Sequence, residues 1–388
     1  TLRRTTGLLR TGDGALAGAK VQAFTEKLPK IIETSARSLA EVGASGPQTT
    51  GLVSTLTEAL CAVDPVNGNA WSRLRGLSTL PPYAVIDGLL ARDVGVDLEG
   101  AEQTIATLRA ALNSPAAGDR LQYLEAKATE RAGRYAEAAA RLEGLATRDP
   151  LSEEVVHALA LNRRASGDAQ GAERVLREAV TKTPRASKRL WNLWAAVMLK
   201  ELQRGVADLL ADPIFIGEAS AGNGEELRWL FERLRDGDPI LINCGGDDYI
   251  APDDRSWGRD RFAIGGSSSR PYVGDIAGTD ADLVYQSVRW FSETEPPSAG
   301  YHVPLPPGAY KVSLGFAEGW WRATGARSFD VLLEGRKVLE EFEPGRFGFA
   351  TAHIETATVA VEDGLLDMDF VHGNDNPKVS AIEIERAE

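Results

Sequence analysis

The run Tyr310-Lys-Val-Ser-Leu-Gly-Phe316, closely followed by the adjacent pair Trp320-Trp321, decides the fold class of the C-terminal part of the chain. The residues of this run favour a β-strand. Neighbouring side chains of a strand point to opposite faces, so at least one indole of such a pair must face solvent or a cleft. A soluble protein rarely exposes large aromatic side chains without a binding reason. The pair therefore predicts a ligand-binding surface beside a strand.

Strand-like runs separated by Gly, Pro and Asp turns extend in both directions from this stretch and begin at Ile240. Hairpin turns are predicted at Glu334-Gly-Arg and at Glu362-Asp-Gly-Leu, and the second carries the Asp-Gly turn signal. The predicted strands cover residues 240–243, 300–303, 310–316, 328–334, 358–361, 365–370 and 379–385. Strands at this spacing over about 150 residues predict an all-β antiparallel β-sandwich for residues 239–388.

The residues before 239 have a helical pattern, in which apolar residues recur three and four positions apart. Residues 117–150 and 151–184 read as two copies of one pattern: helix, short turn, helix and terminal proline. The positions that match between the copies are Gly133 and Gly167, Ala138 and Ala172, Leu142 and Leu176, and Pro150 and Pro184. The pattern resembles the tetratricopeptide repeat, a pair of helices that recurs every 34 residues.

This resemblance implies an all-α helical repeat over residues 81–238, in which degenerate copies at 89–115 and 187–213 flank the two clear ones. Trp191 and Trp194 are expected to be core side chains of a capping helix. Residues 1–80 also have a helical pattern, interrupted by a Gly- and Thr-containing loop at 43–51, and resemble no particular family. The sequence thus predicts three parts, which cover residues 1–80, 81–238 and 239–388.

The negative charge of the chain is concentrated in its C-terminal part. From Pro239 onward there are 13 basic and 25 acidic residues, a net charge of −12, whereas the preceding residues contribute −1 to the total of −13. Binding to nucleic acid requires clustered Lys and Arg, and an anionic membrane surface attracts the same residues. The C-terminal part is therefore expected to bind neither, and neutral ligands and cations remain open.

Motifs for catalysis and for metal binding are weak. The two cysteines, Cys61 and Cys244, are expected to be buried small hydrophobic residues, and the four histidines have no zinc-site spacing. Asp247, Asp248, Asp253 and Asp254 could surround a calcium ion, but a solvated acidic loop is the preferred interpretation. Glu293 and Glu295 are interpreted as surface residues and not as a glycosidase acid pair. No cofactor and no catalytic activity are predicted.

Five motifs in order carry a second resemblance. They are Ile242-Asn-Cys-Gly-Gly246, Tyr285-Gln-Ser-Val-Arg-Trp290, Pro307-Gly-Ala-Tyr-Lys-Val-Ser-Leu-Gly-Phe-Ala-Glu318, Arg327-Ser-Phe-Asp-Val331 and Asn374-Asp-Asn-Pro-Lys-Val-Ser-Ala-Ile-Glu-Ile384. In this order they resemble malectin, a carbohydrate-binding β-sandwich, over residues 240–386. The family binds sugar in a cleft where aromatic side chains stack on glucose rings and an aspartate hydrogen-bonds to sugar hydroxyls.

When the motifs are matched position by position, the cleft residues of the malectin family correspond to four aromatic residues and one acid of this chain. The aromatic residues are Tyr272, Trp290 (where malectin has tyrosine), Trp320 and Trp321, and the acid is Asp375. His372-Gly-Asn374 replaces the aromatic residues that malectin carries just before that aspartate. A pyranose ring has C–H faces that pack on aromatic planes and a rim of hydroxyls that needs polar partners, so these residue types suit a sugar.

The sequence therefore predicts a non-catalytic binding protein. Its malectin-like domain would bind a neutral, possibly glucose-containing glycan, and its tetratricopeptide-like groove would bind a protein partner. One alternative is an assembly subunit whose aromatic cleft binds protein. A second is the non-catalytic part of a larger enzyme or signalling protein, since the chain begins at Thr1 instead of Met. The Arg-, Ala- and Gly-rich composition suggests a bacterial source, and the cytoplasm and an extracytoplasmic location both remain open.

Overall fold

The computed structural model describes residues 115–148, 152–182, 187–215, 222–292 and 299–387. The predicted helical region 1–80 lies outside the described residues, as do Cys61, Pro150, Pro184, Glu293 and Glu295. The chain forms two compact units, Thr1–Ser166 and Gly167–Glu388. The division between them falls inside the predicted repeat region 81–238, whereas the change from helix to strand falls where the sequence predicts it, between Asp236 and Ile240.

The described part of the first unit consists of helices α1 (Pro115–Arg131), α2 (Tyr135–Arg148) and α3 (Glu153–Ala165). Gly133 adopts a φ of 72° in the turn between α1 and α2, a conformation that glycine reaches without steric cost. Ala138 and Leu142 are fully buried where α2 packs against its neighbours. The helices and the buried small residue agree with the helical prediction, and the assignment to tetratricopeptide repeats stays a prediction.

The second unit begins with helices that enclose an aromatic cluster. They are α4 (Ala169–Lys182), α5 (Lys188–Ala196), the π-helical turn Val197–Glu201, α6 (Val206–Leu210), the 3-10 turn Pro213–Phe215 and α7 (Asn223–Asp236). Trp194 is fully buried and contacts Phe215 at 5.9 Å between ring centroids, and Phe215 contacts Phe231 at 6.0 Å. Trp191 is also buried. The prediction that both tryptophans are core side chains is confirmed.

The rest of the second unit is antiparallel and rich in strands. The strands are β1 (Ile240–Asn243), β2 (Tyr249–Ile250), β3 (Ser256–Trp257), β4 (Ala263–Ile264), β5 (Ser267–Ser269), β6 (Val288–Trp290), β7 (Gly300–Pro304), β8 (Gly308–Ala317), β9 (Ser328–Leu333), β10 (Arg336–Phe342), β11 (Ala352–Val361), β12 (Leu365–Asn374), β13 (Lys378–Val379) and β14 (Ala381–Arg386). A short helix, α8 (Asp282–Gln286), precedes β6. The sequence pattern missed β10, whose charged and exposed residues do not alternate with apolar ones.

Two larger sheets contain most of these strands. The four-stranded sheet has the order β1-β14-β8-β11 and the five-stranded sheet the order β10-β9-β12-β7-β4. Phe316 of β8 contacts Phe329 of β9 and Phe342 of β10, at 6.0 and 4.6 Å between ring centroids. These contacts join the two sheets in one core. The sandwich geometry itself stays a prediction.

Helices of the second unit pack directly on these strands. α5 contacts β7 and β12, and Asn192 of α5 donates a buried hydrogen bond of 2.8 Å to the carbonyl of His302. Trp229 of α7 lies under the guanidinium of Arg261, whose Cζ is 4.4 Å from the ring centroid. The second compact unit therefore begins before the strands, because these helices bury their side chains against the sheet.

Two glycines in turns provide a test of this helix-to-sheet packing. Gly335 lies in the hairpin between β9 and β10, as predicted, whereas the predicted hairpin at Glu362-Asp-Gly-Leu is wrong: Gly364 lies in a turn between β11 and β12, which do not pair because they belong to different sheets. Gly364 and Gly335 have φ values of 88° and 67°. A Cβ at Gly364 would lie 2.8 Å from the carbonyl oxygen of Ala196, whereas a Cβ at Gly335 would meet nothing within 4 Å. We expect Gly335→Ala to cost about 1 kcal/mol, for the left-handed backbone alone, and Gly364→Ala to cost at least about 2 kcal/mol. Urea denaturation measures both, and equal losses would contradict the contact between the turn and the helix.

Glu334 follows β9 and is half-buried near several carboxylates. Burial raises its pKa to about 7 and outweighs the hydrogen bond from the N–H of Asp367, which lowers it. Repulsion from Asp367, Asp363 and Asp369 raises it further. Between the ordinary carboxyl pKa and about 7 the folded state therefore binds more protons than the unfolded state, and stability falls as pH rises through this range.

We expect Glu334→Gln to remove this loss, because glutamine keeps an acceptor for the N–H of Asp367 and carries no charge. The variant should exceed wild type in free energy of unfolding by about 1 kcal/mol at a pH of about 8, after allowance for solvent screening, and by much less at about 5. Glu362→Gln, at an exposed residue, is the control. Denaturation curves at both pH values measure the free energy of unfolding. A variant whose stability depends on pH in the same way as that of wild type would contradict this account of Glu334.

Candidate functional site

The two adjacent tryptophans lie just after β8, in a loop of residues 318–327 that leads to β9 and is here named the tryptophan loop. Trp320 is 65% exposed and Trp321 41% exposed. The residues next to them in β8, Phe316 and Ala317, are buried. The indoles are thus outside the strand, and both reach solvent, in agreement with the expectation that at least one would. A rigid support for two exposed rings must come from the backbone beneath them.

Glu318 provides that support from inside the protein. Its side chain is 1% exposed, and Oε1 accepts hydrogen bonds from the backbone N–H groups of Trp320 and Trp321, at 2.8 and 3.1 Å. Its backbone carbonyl accepts the N–H of Ala350 at 2.7 Å. One buried carboxylate therefore fixes the main chain of both tryptophans.

Arg327 and Asp375 close a ring of hydrogen bonds with this carboxylate. Arg327 is 8% exposed and donates from Nε to Glu318 Oε2 at 2.8 Å, while its Nη2 lies 3.0 Å from Asp375 Oδ2. The same Oδ2 accepts the indole N–H of Trp321 at 2.6 Å. Both the main chain and the side chain of Trp321 are thus bound to one connected set of charged groups.

Lys378 completes the charge balance at this point. Its Nζ is buried and donates to Glu318 Oε1 at 3.1 Å and to the carbonyl of Ala317 at 2.8 Å. Burial lowers the pKa of Lys378 to about 8, against the opposing effect of Glu318. Burial also raises the pKa of Glu318, but the cations of Lys378 and Arg327 and the two N–H donors outweigh it and hold that pKa below its ordinary value. Glu318 is therefore a carboxylate at neutral pH.

Asp375 lies beside Trp321, and its local structure is unusual. Its φ is 65°, and an isolated bridge joins Gly373 and Asp375. Asn374 next to it donates from Nδ2 to the carbonyl of Gly325 in the tryptophan loop at 2.7 Å. The contacts of Asp375 Oδ2 with Trp321 and Arg327 give this side chain a role in orienting the indole, in addition to the predicted contact with ligand.

Tyr272 lies at the base of the tryptophan loop. A Cβ on Gly319 would be 2.9 Å from the Cβ of Tyr272, and the Tyr272 ring packs edge-on against Phe349 at 5.1 Å between centroids. The segment that carries Tyr272 is held by the buried side chain of Gln286, which donates to the carbonyl of Gly274 at 2.8 Å. The structure therefore places Tyr272 against Gly319, the residue before Trp320, and its contact with ligand stays a prediction.

Trp290 has a less direct relation to the other four residues. It is half-buried on β6, opposite Lys378 of β13 and Ser267 of β5. Residues that face each other across antiparallel strands project to the same face of a sheet, so Trp290 shares a face with Lys378. Across the described ranges no ring contact joins Trp290 to Trp320 or Trp321. Its place in the predicted cleft stays a prediction.

The residues that hold the site together were present in the sequence motifs but had no predicted role. Glu318, Arg327 and Lys378 each stand within or beside a motif that carries the malectin resemblance. Nothing local predicts that they meet, because 9 residues separate Glu318 from Arg327 and 60 separate it from Lys378. Phe349 at the base of the loop also had no predicted role.

The weaker candidates form no site in the described part of the chain. Asp248 accepts hydrogen bonds from Arg261 and from the N–H of Arg259, and within the described ranges no group of acids or histidines could hold a metal ion. Cys244 is buried, and burial raises the pKa of its thiol well above the ordinary value. No helix in the same ranges has the length and apolar character needed to cross a membrane.

The hydrogen-bonded set of Glu318, Arg327, Asp375 and Lys378, here named the charged ring, predicts that two glutamate variants differ strongly in stability. Glu318→Gln leaves the buried cations Arg327 and Lys378 without one of their two anions, and we expect a loss of about 3 kcal/mol in the free energy of unfolding. Glu385→Gln breaks an exposed ion pair with Lys311 and should cost at most about 1 kcal/mol. Urea denaturation of both variants measures the difference, and equal losses would mean that the ring does not stabilise the fold.

The comparison with protein families agrees with this geometry. Residues 239–382 match the family model of the Malectin domain. The match covers β1 to β13 and includes the tryptophan loop and Asp375. A search of curated protein sequences finds no match to this chain.

Three solved structures illustrate the distant likenesses that a structural search finds. A Bacteroides uniformis beta-glucuronidase is 17% identical with a TM-score of 0.35, covering 39% of this chain and 18% of that chain. The ANX2 ectodomain from Arabidopsis thaliana is 11% identical with a TM-score of 0.34, covering 38% and 49%. The plant receptor-like kinase FER is 24% identical with a TM-score of 0.33, covering 39% and 42%. This chain spans less than half the length of each of them. Its residues 239–382 form a malectin domain.

Proposed function

We propose that the malectin domain is a non-catalytic module that binds a glycan by stacking sugar rings on Trp320 and Trp321. The observation that carries this proposal is that the buried carboxylate of Glu318 holds the main chain of two adjacent, solvent-exposed tryptophans, and Asp375 holds the indole of Trp321. Exposed tryptophans on a flexible loop would lose conformational entropy on binding. Here Glu318 orders the main chain of both tryptophans and Asp375 orders the indole of Trp321, so a ligand meets a Trp321 ring that is already placed.

The same arrangement suits the two kinds of surface on a sugar. The indole planes pack on the C–H face of a pyranose, while hydroxyls at its rim require donors and acceptors. Asp375 accepts the indole N–H of Trp321, so a carboxylate flanks the aromatic surface. The acidity of the domain and the malectin resemblance favour a neutral, glucose-containing glycan, with Trp290 as a further contact.

We also propose that the helices before the malectin domain bind a protein partner as tetratricopeptide-like repeats. Support comes from the spacing between the two sequence copies and from the burial of Ala138 in α2 and Ala172 in α4, the matching small positions. Repeats of this kind present grooves in which partner segments lie.

The glycan proposal is tested on the purified chain with a glycan array, followed by calorimetric titration of the sugars that bind. We expect Trp320→Ala and Trp321→Ala each to weaken binding about tenfold or more, because each removes an aromatic platform. Ile250→Ala is the matched control, since Ile250 is 70% exposed in the same domain outside the tryptophan loop. Failure to bind any sugar, or binding that survives the double tryptophan variant, would refute the proposal and favour a protein ligand.

A further inference from the structure

Strand β11 forms one edge of the four-stranded sheet, and its outer side is open. It pairs with β8 over all ten of its residues in an unbroken register. The carbonyls of Ala309 and Gly315 in β8 accept N–H groups from residues that flank β14, so the alternate residues of β8 face β11. The N–H and C=O groups of β11 that point away from β8 therefore belong to Ile354, Thr356, Thr358 and Ala360.

Within the described part of the chain, one hydrogen bond reaches these outward backbone groups. Arg336 donates from Nη2 to the carbonyl of Thr358 at 2.9 Å. The N–H of Ala352, at the start of the strand, donates to the carbonyl of Ala277 at 2.8 Å, so the open part begins at Ile354. The four outward residues have exposed, uncharged side chains. They are here named the β11 edge.

The other edge strands of the two larger sheets are protected against pairing with a further strand. Gly258 covers β1, since its N–H donates to Leu241 and its carbonyl accepts from Asn243, both at 2.8 Å. β4 has two residues, and β10 has two register shifts and exposed charged side chains. β11 is ten residues long, keeps a regular register and contains neither proline nor lysine. A long and regular edge strand of this kind is a template for another strand.

The residues of the β11 edge match one another about Ala357. If a second copy lies antiparallel with a two-fold axis at Ala357, Thr356 falls opposite Thr358 of that copy, and Ile354 falls opposite Ala360. Pairs of threonines across antiparallel strands stabilise a sheet. All four residues present outward backbone groups, so each pair can exchange hydrogen bonds in both directions. The edge is therefore complementary to itself.

The same axis keeps the charged residues of β11 apart. Glu355 falls opposite Val359 of the second copy and His353 opposite Val361, so no like charges face each other across the two strands. Within its own copy, Glu355 lies 2.8 Å from His353 and 3.8 Å from Arg346. This self-complementarity favours a second copy over a foreign extended peptide, which is the other occupant that an open sheet edge accepts.

We propose that two copies of this chain associate by antiparallel pairing of their β11 edges, which joins their four-stranded sheets into one continuous sheet. The two-fold axis passes at Ala357, and the outward residues of each copy exchange backbone hydrogen bonds with those of the other. Arg336 keeps its contact, because the carbonyl oxygen of Thr358 can accept two hydrogen bonds. The association uses no residue of the proposed glycan site and stands independently of it.

Sedimentation velocity of the full chain measures the association. Wild type is expected to change from monomer to dimer between about 1 and about 100 μM, the range of a small interface made by one pair of strands. Each copy has a formal net charge of −13, so electrostatic repulsion opposes the dimer. Raising NaCl from about 50 mM to about 500 mM should therefore strengthen the association.

Two double variants test whether β11 forms the interface. Thr356→Lys/Thr358→Lys and Thr356→Glu/Thr358→Glu each place like charges opposite one another, and each should stay monomeric over the same concentrations. An equal mixture of the two should dimerise at least as strongly as wild type, because the facing charges are then opposite. Ile250→Lys/Val273→Lys is the matched control: it adds the same charge at residues that are 70% and 71% exposed, and it should dimerise like wild type.

Hydrogen exchange of wild type, followed by mass spectrometry, gives a result that needs no variant. The amide protons of the segment 352–361 should exchange more slowly at about 100 μM than at about 1 μM, because the outward N–H groups become hydrogen-bonded in the dimer. Equal exchange at both concentrations in a chain that dimerises would place the interface elsewhere.

Three further outcomes would overturn the proposal. The first is a wild type that stays monomeric at every salt concentration, which would leave a foreign strand as the occupant of the β11 edge. The second is a dimer that both double variants retain. The third is a mixture of the two double variants that stays monomeric although thermal unfolding shows that both are folded. Because Thr356 and Thr358 are exposed, both variants are expected to unfold near the temperature of wild type.

Discussion

The buried carboxylate of Glu318 is the interaction on which the candidate site depends. It binds the main chain of Trp320 and Trp321 with one oxygen and Arg327 with the other. Arg327 continues to Asp375, which returns to the indole of Trp321. Removal of a carboxylate from water costs several kcal/mol unless hydrogen bonds and opposite charges compensate. Here two cations and two N–H groups do so, and the result is a fixed main chain beneath two exposed tryptophans, of which the Trp321 indole is itself held by Asp375.

The strand topology explains why these residues meet. β8 ends at Ala317, β9 begins at Ser328, β12 ends at Asn374 and β13 begins at Lys378. β8 belongs to the four-stranded sheet, and β9 and β12 to the five-stranded sheet. The charged ring therefore lies where strands of both sheets end, and it connects the loops between them. The tryptophan loop is thus held by Glu318, Arg327 and Lys378, which are buried, and by Asp375, which is partly exposed.

Much of the fold and part of the site could be predicted from the sequence. Adjacent tryptophans after a strand predicted at least one exposed indole, and both are exposed. The resemblance assigned Asp375 to the same cleft, and in the structure Asp375 accepts the indole N–H of Trp321. The roles of Glu318, Arg327 and Lys378 could not be predicted, because their contacts arise only when distant strand ends come together. The packing of α5 on β7 and β12 was missed for the same reason. The sequence changes from a helical to a strand-like pattern at 238, but the buried surface joins helices before that residue to strands after it. Trp290 is the opposite case: its motif predicts a place in the cleft, but in the described ranges no ring contact joins it to Trp320 or Trp321.

The most direct test of a pre-placed tryptophan pair is hydrogen exchange of the indole N–H groups in the free protein, followed by NMR. Trp320 and Trp321 are both exposed, but only the Trp321 indole donates to Asp375 in a ring anchored on buried Glu318. Exchange of the Trp321 indole proton should therefore be at least about tenfold slower than that of Trp320 before any ligand is added. Equal and fast exchange of the two protons would show that the rings are not held in advance and would contradict the account.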